Sequence, residues 1–516
     1  MARSVTRIAS GTAVEVALHV RDAGPARDLL GPFEALRRGP TPWLLDSALP
    51  GPRLGRFSFA GSDPWAVLRA RGRELELTVR RPVHPGWPEG IHRSTGDPLA
   101  WLRALLPRLD LAEPIDLPFV GGAVGYFGYE LAEQLEPVRL PAPADTALPD
   151  LGFLLVDSLL AFDHAEGRLF RCGIGFGGRA ESAARARVDV LEAQAGAAAR
   201  SRTTATNPAP RDAHPCGRTT ARARHDADGY ARRVRVVKQA IADGEVYQAC
   251  FTHRLETEFH GDPWRLYGRL RRLNPAPFAA YLGLPEGAIL SSSPERFLCV
   301  SADGFVEARP IKGTSDCGTS AASAALSRRA LAASAKDRAE NVMIVDLYRN
   351  DLGRVCETGS ISVPELCVIE RYGRLHQMVS TVTGRLAPGR DRLDLVRAAF
   401  PPGSMTGAPK IAAMRLLAQL EPLRRGVYAG ALGYLDLRGG MDLSVVIRTL
   451  LVCDGVAHVH AGGGIVADSE PLAEHREAMD KARALLEALG ADPRACSPGD
   501  ERPIGRPAAG VAAGDP

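Results

Sequence analysis

Lys312 lies in the run Pro310-Ile311-Lys312-Gly313-Thr314, and its chemistry could decide between related reactions. The alternation of Phe305, Val306, Glu307, Ala308 and Arg309 before it reads as a strand, and Gly313 after it reads as a turn. A lysine held between Pro and Gly at a strand end has a fixed stem, with its amine directed into whatever lies beyond. A free lysine ammonium titrates at about 10.4, so it attacks carbon near neutrality only when desolvated or set beside other cations. Read alone, the run also suits an exposed surface lysine.

Two carboxylate pairs suggest a partner for that chemistry. Residues 336–347 have helical periodicity, with apolar Ala339, Val342, Met343 and Leu347. Asp337 and Glu340 therefore share one face near the start of that helix. A second helix, beginning at Pro471 after Asp468-Ser469, repeats the spacing with Glu474 and Glu477. Two such helices could bring four carboxylates together, a hard oxygen set suited to Mg²⁺. Without a cation the carboxylates would repel and some would protonate. Pair by pair, acidic residues near helix starts also serve the macrodipole.

Phosphate readings fail. Gly462-Gly463-Gly464 follows the short strand 456–460 and can offer backbone N–H groups to an anion, but it lacks a dinucleotide fingerprint. Gly407-Ala408-Pro409-Lys410 is no Walker loop, since no Ser or Thr follows Lys410 and Pro409 has no N–H. A carboxylate is the better ligand for such a strand exit.

The elements that must position these groups divide at a segment poor in apolar residues. Residues 201–225 are rich in Thr, Ala, Arg and Pro and read as a linker or surface loop. Residues 1–200 carry strand-like runs at 43–47, 56–61 and 119–126, with a helical stretch at 98–109. Residues 226–495 alternate strands and helices and hold every constellation above. Residues 496–516 are Gly, Pro, Ala and charge, a composition expected to be disordered.

At 516 residues, 45% hydrophobic and 24% charged, the chain has the make-up of a globular protein of about two to four domains. Its net charge of +4 makes no case for nucleic acid, and no apolar run approaches the roughly 20 residues of a membrane helix. Nine cysteines without a CxxC pair, and no apolar block after Met1, point to a reducing, cytoplasmic location.

These pieces, in this order, resemble the chorismate-utilising enzymes. The resemblance rests on Ser293-Pro294-Glu295-Arg296-Phe297, the run from Pro310 to Thr314, and the stretches 336–355, 400–410, 430–449 and 461–469. It is dense over about 230–490 and thinner before the linker, where Leu44-Leu45-Asp46-Ser47 and 55–59 resemble the family's N-terminal strands. The resemblance implies an α+β fold of packed, antiparallel-rich β-sheets with helices outside, residues 1–200 completing it.

It also implies roles. Asp337, Glu340, Glu474 and Glu477 would form the Mg²⁺ shell that clamps the ring carboxylate of chorismate. Arg448 and Tyr434 would hold the enolpyruvyl carboxylate with the backbone of Gly462, Gly463 and Gly464, a carboxylate being well matched to a guanidinium. His376 and Ser404 would line the ring, and Glu295 would protonate the departing C4 hydroxyl. Gln248 stands where water-adding members have lysine, which argues against isochorismate chemistry. Lys312 stands where anthranilate synthases have alanine, and it resembles the branch that makes 4-amino-4-deoxychorismate for para-aminobenzoate and folate, with the lysine as nucleophile. Anthranilate synthase component I is the nearest alternative.

The chain departs from the family in having Ser315-Asp316-Cys317 where Arg-Pro-Arg is usual after Gly313-Thr314. No Gly-x-Cys-x-Gly nucleophile setting is present, so nitrogen is expected from free ammonia or from a separate glutamine amidotransferase subunit. Asp46-Ser47 falls where the family has a tryptophan pocket between N-terminal strands, making tryptophan a possible ligand there.

Overall fold

The computed structural model describes residues 2–7, 13–51, 53–83, 86–111, 113–140, 146–204, 220–492 and 497–498. Two large sheets, of 14 and 12 strands, face each other. Their pairings are antiparallel except for the short strands Arg222–Ala223 and Ser497–Pro498. The fold is α+β, as the resemblance implies.

Side-chain alternation explains why the strands carry so few polar residues. In the strand Phe57–Gly61, Phe59 joins the layer between the sheets while Ala60 joins the outer layer under the helices. In Gly287–Ser293, Ile289 points inward between the sheets and Leu290 outward. Both faces are thus covered over the central strands, and strands such as Gly122–Phe127 and Leu151–Val156 are buried at every position, whereas the edge strand Gly90–Thr95 is largely exposed. Trp43, Phe59, Phe119, Tyr126 and Tyr434 fill the middle layer. Tyr348 and Leu352 pack the outer face of the 12-stranded sheet, and Tyr267 and Leu485 that of the 14-stranded one.

Residues before the linker are woven into both sheets rather than set apart. Trp43–Asp46 pairs with Phe278–Leu284 in one sheet, and Gly122–Phe127 with Ala431–Asp436 in the other. The segment read as a linker carries regular structure at its described ends: the helix Ala180–Thr204 enters it and Arg222–Ala223 is a strand. Residues 205–219, and all of the tail but Ser497–Pro498, lie outside the described residues. No helix among the described residues is long and apolar enough to cross a membrane.

Candidate active site

The chain crosses between the sheets twice at one seam. Gly287–Ser293 belongs to the larger sheet and Arg296–Val300 to the smaller, so Glu295 sits on the crossing. Met441–Val445 and Thr449–Cys453 make the return passage, which carries Arg448. The crossings are stitched together: the Val445 amide donates to the Glu295 carbonyl (3.0 Å), the Ser293 hydroxyl to the Val445 carbonyl (2.6 Å) and the Ser292 amide to the Arg448 carbonyl (3.1 Å). Arg448 adopts φ +52°, a left-handed conformation that a non-glycine residue keeps only where its surroundings impose it.

Lys312 is aimed by a bulge. Its strand, Ile311–Asp316, pairs Ile311 with Val379 and Thr314 with Gln377, so Lys312 and Gly313 together oppose a single residue. Gly313 has φ +81°, and a Cβ there would lie 2.9 Å from the Asp337 side chain. The Lys312 ammonium donates to the Ser404 carbonyl at 3.3 Å. A Cβ on Gly464 would stand 3.4 Å from the Lys312 nitrogen and would collide with the Gln248 carboxamide. Lys312, Gln248 and the glycine strand therefore meet at one place.

Glu295 is 3% exposed, and burial pushes its carboxyl up to about 7 against the pull of the Ser404 hydroxyl, Lys312 and the Ile311 amide. Its Oε1 has no hydrogen-bond partner, nor have Gln248 Oε1 and His376 Nδ1. Buried polar atoms are normally satisfied, so the orphans on Glu295 and Gln248, which both neighbour Lys312, mark a place for a ligand. His376 reaches the site from the strand Leu375–Arg385, paired with Ser315 beside the bulge. Ser404 comes from the turn Gly403–Met405, wedged so closely on the helix Ala335–Gly353 that a Cβ on Gly403 would lie 2.6 Å from Leu347. Lys410, rejected above as a phosphate lysine, has its ammonium bonded to Asp351 (2.7 Å) and the Ala399 carbonyl (2.6 Å).

Glu340 approaches Glu474 and Glu477 across two helices, with Asp337 one turn before it on its own helix. The Lys336 ammonium lies 3.5 Å from Glu474 and 4.0 Å from Glu340, while Lys481 pairs with Glu477 at 2.8 Å and donates to the Gly462 carbonyl at 2.9 Å. Burial raises the Glu340 carboxyl, with Lys312 and Lys336 opposing; Lys481 holds Glu477 below its usual value. Among the described residues no three acidic, His or Cys side chains stand close enough to hold a metal ion. Lys336, a monovalent cation between Glu340 and Glu474, occupies the position of positive charge. The donor set is all carboxylate oxygen, which fits a hard divalent cation.

Arg448 forms no ion pair among the described residues; its electrostatic neighbours are Tyr428 and Glu477. Tyr434 does not join it. In the strand Ala431–Asp436, Tyr434 falls on the face turned toward the middle layer, where it stacks on Phe119 at 4.6 Å. It lines a second cavity of about 230 Å³ with Asp46, Ser47, Phe278 and Arg296. Tyr428, three residues before that strand, is the tyrosine beside Arg448. Its turn is fixed by hydrogen bonds from the Ala429 amide to the Val446 carbonyl and from the Val446 amide to the Gly430 carbonyl. The glycine strand, Val456–Ile465, has Gln248–Glu258 along one edge; its other neighbour ends at Leu450 opposite Val459, leaving Gly462 to Gly464 without a strand partner on that side among the described residues.

Two further residues escape the motif reading. Lys481 ties the glycine strand to the helix Pro471–Leu489. Arg425, fully buried and paired with Glu421, donates to the carbonyls of Met405 (2.7 Å) and Cys250 (2.8 Å), joining two walls of the site. A spacing of Arg425 four residues after Glu421 was the available signal, but it equally describes an exposed helical pair.

Residues 57–487 match the model of the chorismate binding enzyme family. Aminodeoxychorismate synthase component 1 of Klebsiella aerogenes is 40% identical over 462 residues, covering 89% of this chain and 95% of that protein. Aminodeoxychorismate synthase of Streptomyces pristinaespiralis is 40% identical over 493 residues, 93% of this chain but only 66% of that longer protein. Anthranilate synthase component 1 of Mycobacterium bovis is 39% identical over 482 residues, 90% of each chain. The crystal structure of anthranilate synthase component I from Streptococcus pneumoniae superposes with a TM-score of 0.70 at 29% identity, covering 84% of this chain and 92% of that one. With the crossings, the aimed lysine and the facing carboxylates in hand, this chain belongs to the chorismate binding enzyme family and is an enzyme.

Proposed function

We propose that this enzyme converts chorismate and ammonia to 4-amino-4-deoxychorismate, the amino donor step toward para-aminobenzoate and folate. Near-equal identity to relatives named for two reactions leaves the choice to the site, and one observation carries it: the bulge sets the Lys312 amine on Ser404 beside the buried acid Glu295.

Arg448, Tyr428 and the backbone N–H groups of the glycine strand hold the enolpyruvyl carboxylate, and His376 and Ser404 flank the ring. Asp337, Glu340, Glu474 and Glu477 would hold Mg²⁺, which supplies charge for the ring carboxylate when bound. The unprotonated Lys312 amine forms a bond to C2 while the ring double bond shifts and the C4–O bond breaks. Glu295 gives its proton to the departing hydroxyl, which leaves as water. Ammonia then bonds to C4 as the C2–N bond breaks and Lys312 returns as the amine. The Glu295 carboxylate takes the surplus proton from the new ammonium. One hard displacement is thereby split in two. Gln248 offers no base to activate water at C2.

The ammonia comes from a separate glutamine amidotransferase subunit, in keeping with the "component 1" in the Klebsiella relative's name. The cavity beside Asp46 and Ser47 takes tryptophan, whose ring Phe278 and Tyr434 could cover; calorimetry with L-tryptophan tests this.

Purified protein with chorismate, MgCl₂ and an ammonium salt should give a product that mass spectrometry identifies as aminodeoxychorismate. Release of fluorescent anthranilate without a second enzyme would defeat the proposal in favour of the anthranilate reading.

A further inference from the structure

The helix Ala335–Gly353 buries a stripe comprising Asn341, Ile344, Val345, Tyr348, Asp351 and Leu352. Its first member is an amide where packing alone would accept a leucine. Asn341 is 0% exposed, one turn beyond Asp337 and next to Glu340. A buried carboxamide is costly unless bonded, so its partners report what it is for.

Those partners lie on the strands behind the bulge. Asn341 Nδ2 donates to the Met378 carbonyl (3.2 Å), the carbonyl of the residue that faces Lys312 and Gly313 across the bulge. Asn341 Oδ1 accepts from the Ser380 hydroxyl, and the Cys367 thiol lies 3.6 Å from the same oxygen. Ser380 Oγ in turn accepts from the Cys367 amide (2.8 Å), and the Ser380 amide donates to the Pro310 carbonyl (3.2 Å), two residues before Lys312. Cys367 has φ +56°, a conformation that this knot over-determines. From the other side, Gly313 rests against Asp337.

We propose that Asn341 and Ser380 are positioning residues that lock the carboxylate helix and the Lys312 bulge into one rigid unit. Neither touches substrate. Resting on the lysine role proposed above, the inference adds that the amine and the carboxylates of Asp337 and Glu340 cannot be displaced independently. Arg448, Tyr428 and the glycine strand stand on other elements, so substrate capture is separable from alignment. A misplacement of about 1 Å can cost on the order of 10²-fold in rate.

Ser380→Ala and Asn341→Ser, made in the full chain, are read side by side, so that collapse of one leaves the other informative; melting curves establish folding. The expected result is a kcat lowered roughly 10- to 100-fold with chorismate KM within about threefold of wild type. The Mg²⁺ concentration for half-maximal thermal protection, measured without chorismate, should rise at least about fivefold. In metal-free protein the acylation rate of the Lys312 amine by a water-soluble ester, followed by mass spectrometry, should change, and Ser380→Thr should restore it. A folded variant with kcat, Mg²⁺ response and Lys312 labelling all within twofold of wild type overturns the proposal. Lys312→Ala is assayed in parallel: retained amination would overturn the lysine's role, while the labelling and Mg²⁺ readouts would still judge the lock.

Discussion

Two neighbouring regions at the seam between the sheets differ in what their polar groups are doing. Glu295, beside Lys312, belongs to one, and Arg296, the next residue, lines the cavity of the other. In the cavity beside Tyr434 each charged side chain has a partner. Asp46 binds Arg271 (2.5 Å) and the Tyr267 hydroxyl (2.9 Å), Arg296 pairs with Asp442 and Glu307 (both 2.7 Å), Arg53 with Glu365 (2.5 Å), and Arg56 with Asp163 (2.7 Å). In the other, Glu295 and Gln248 each keep a buried atom without a partner, and Arg448 lacks an ion pair, among the described residues. Satisfied polar groups stabilise a wall; unsatisfied ones are held ready for a substrate at a cost in stability.

Removing reactive groups should give the largest effects. Lys312→Ala is expected to lower ammonia-dependent turnover by on the order of 10³-fold or more, with chorismate binding retained, as seen by product quantification and calorimetry. Glu295→Gln should cost about 10²- to 10⁴-fold in kcat and remove the alkaline limb of the pH–rate profile, which wild type should show near pH 7 as the acid loses its proton. The same substitution should stabilise the fold. A carboxyl raised from 4.5 to about 7 on folding withholds no stability below pH 4.5, withholds increasing stability between pH 4.5 and about 7, and a constant amount above that. At pH 8 Glu295→Gln should therefore melt higher than wild type by roughly 2–3 kcal/mol of stability, and at pH 4 about equally.

The satisfied cavity should answer in stability rather than rate. Asp46→Ala strands the Arg271 guanidinium and should cost about 2–4 kcal/mol by denaturant titration, with kcat of the remaining folded protein little changed. If it instead abolished turnover while melting normally, the contrast between the regions would fail. The smallest and sharpest test pairs two tyrosines. Tyr428→Phe should raise chorismate KM roughly tenfold, the worth of one hydrogen bond to a charged group, and Tyr434→Phe should leave it unchanged.

Those tyrosines also show where sequence stops being legible. Lys312 and the carboxylate pairs stand out in the sequence because each sits in a short run with its local geometry, a turn glycine or an i,i+3 helical step, written beside it, whereas Glu295 enters only through the family resemblance. The packed antiparallel sheets were readable from family resemblance and from alternating runs such as 56–61. Choosing between Tyr428 and Tyr434 required knowing which face of Ala431–Asp436 meets which layer, and with both faces buried the hydrophobic pattern carries no such sign. Asn341, Ser380 and Arg425 act through partners as far as 39, 39 and 175 residues away along the chain, which local periodicity cannot register.

The interleaving of early and late strands has a consequence for how the molecule could be divided. A polypeptide ending at 204 would carry Trp43–Asp46 and Gly122–Phe127 without their ladder neighbours, and one starting at 220 would carry Phe278–Leu284 and Ala431–Asp436 in the same condition. Severed there, each piece alone should aggregate, whereas the two expressed together should zip into a nicked, working enzyme: a natural split-protein reporter.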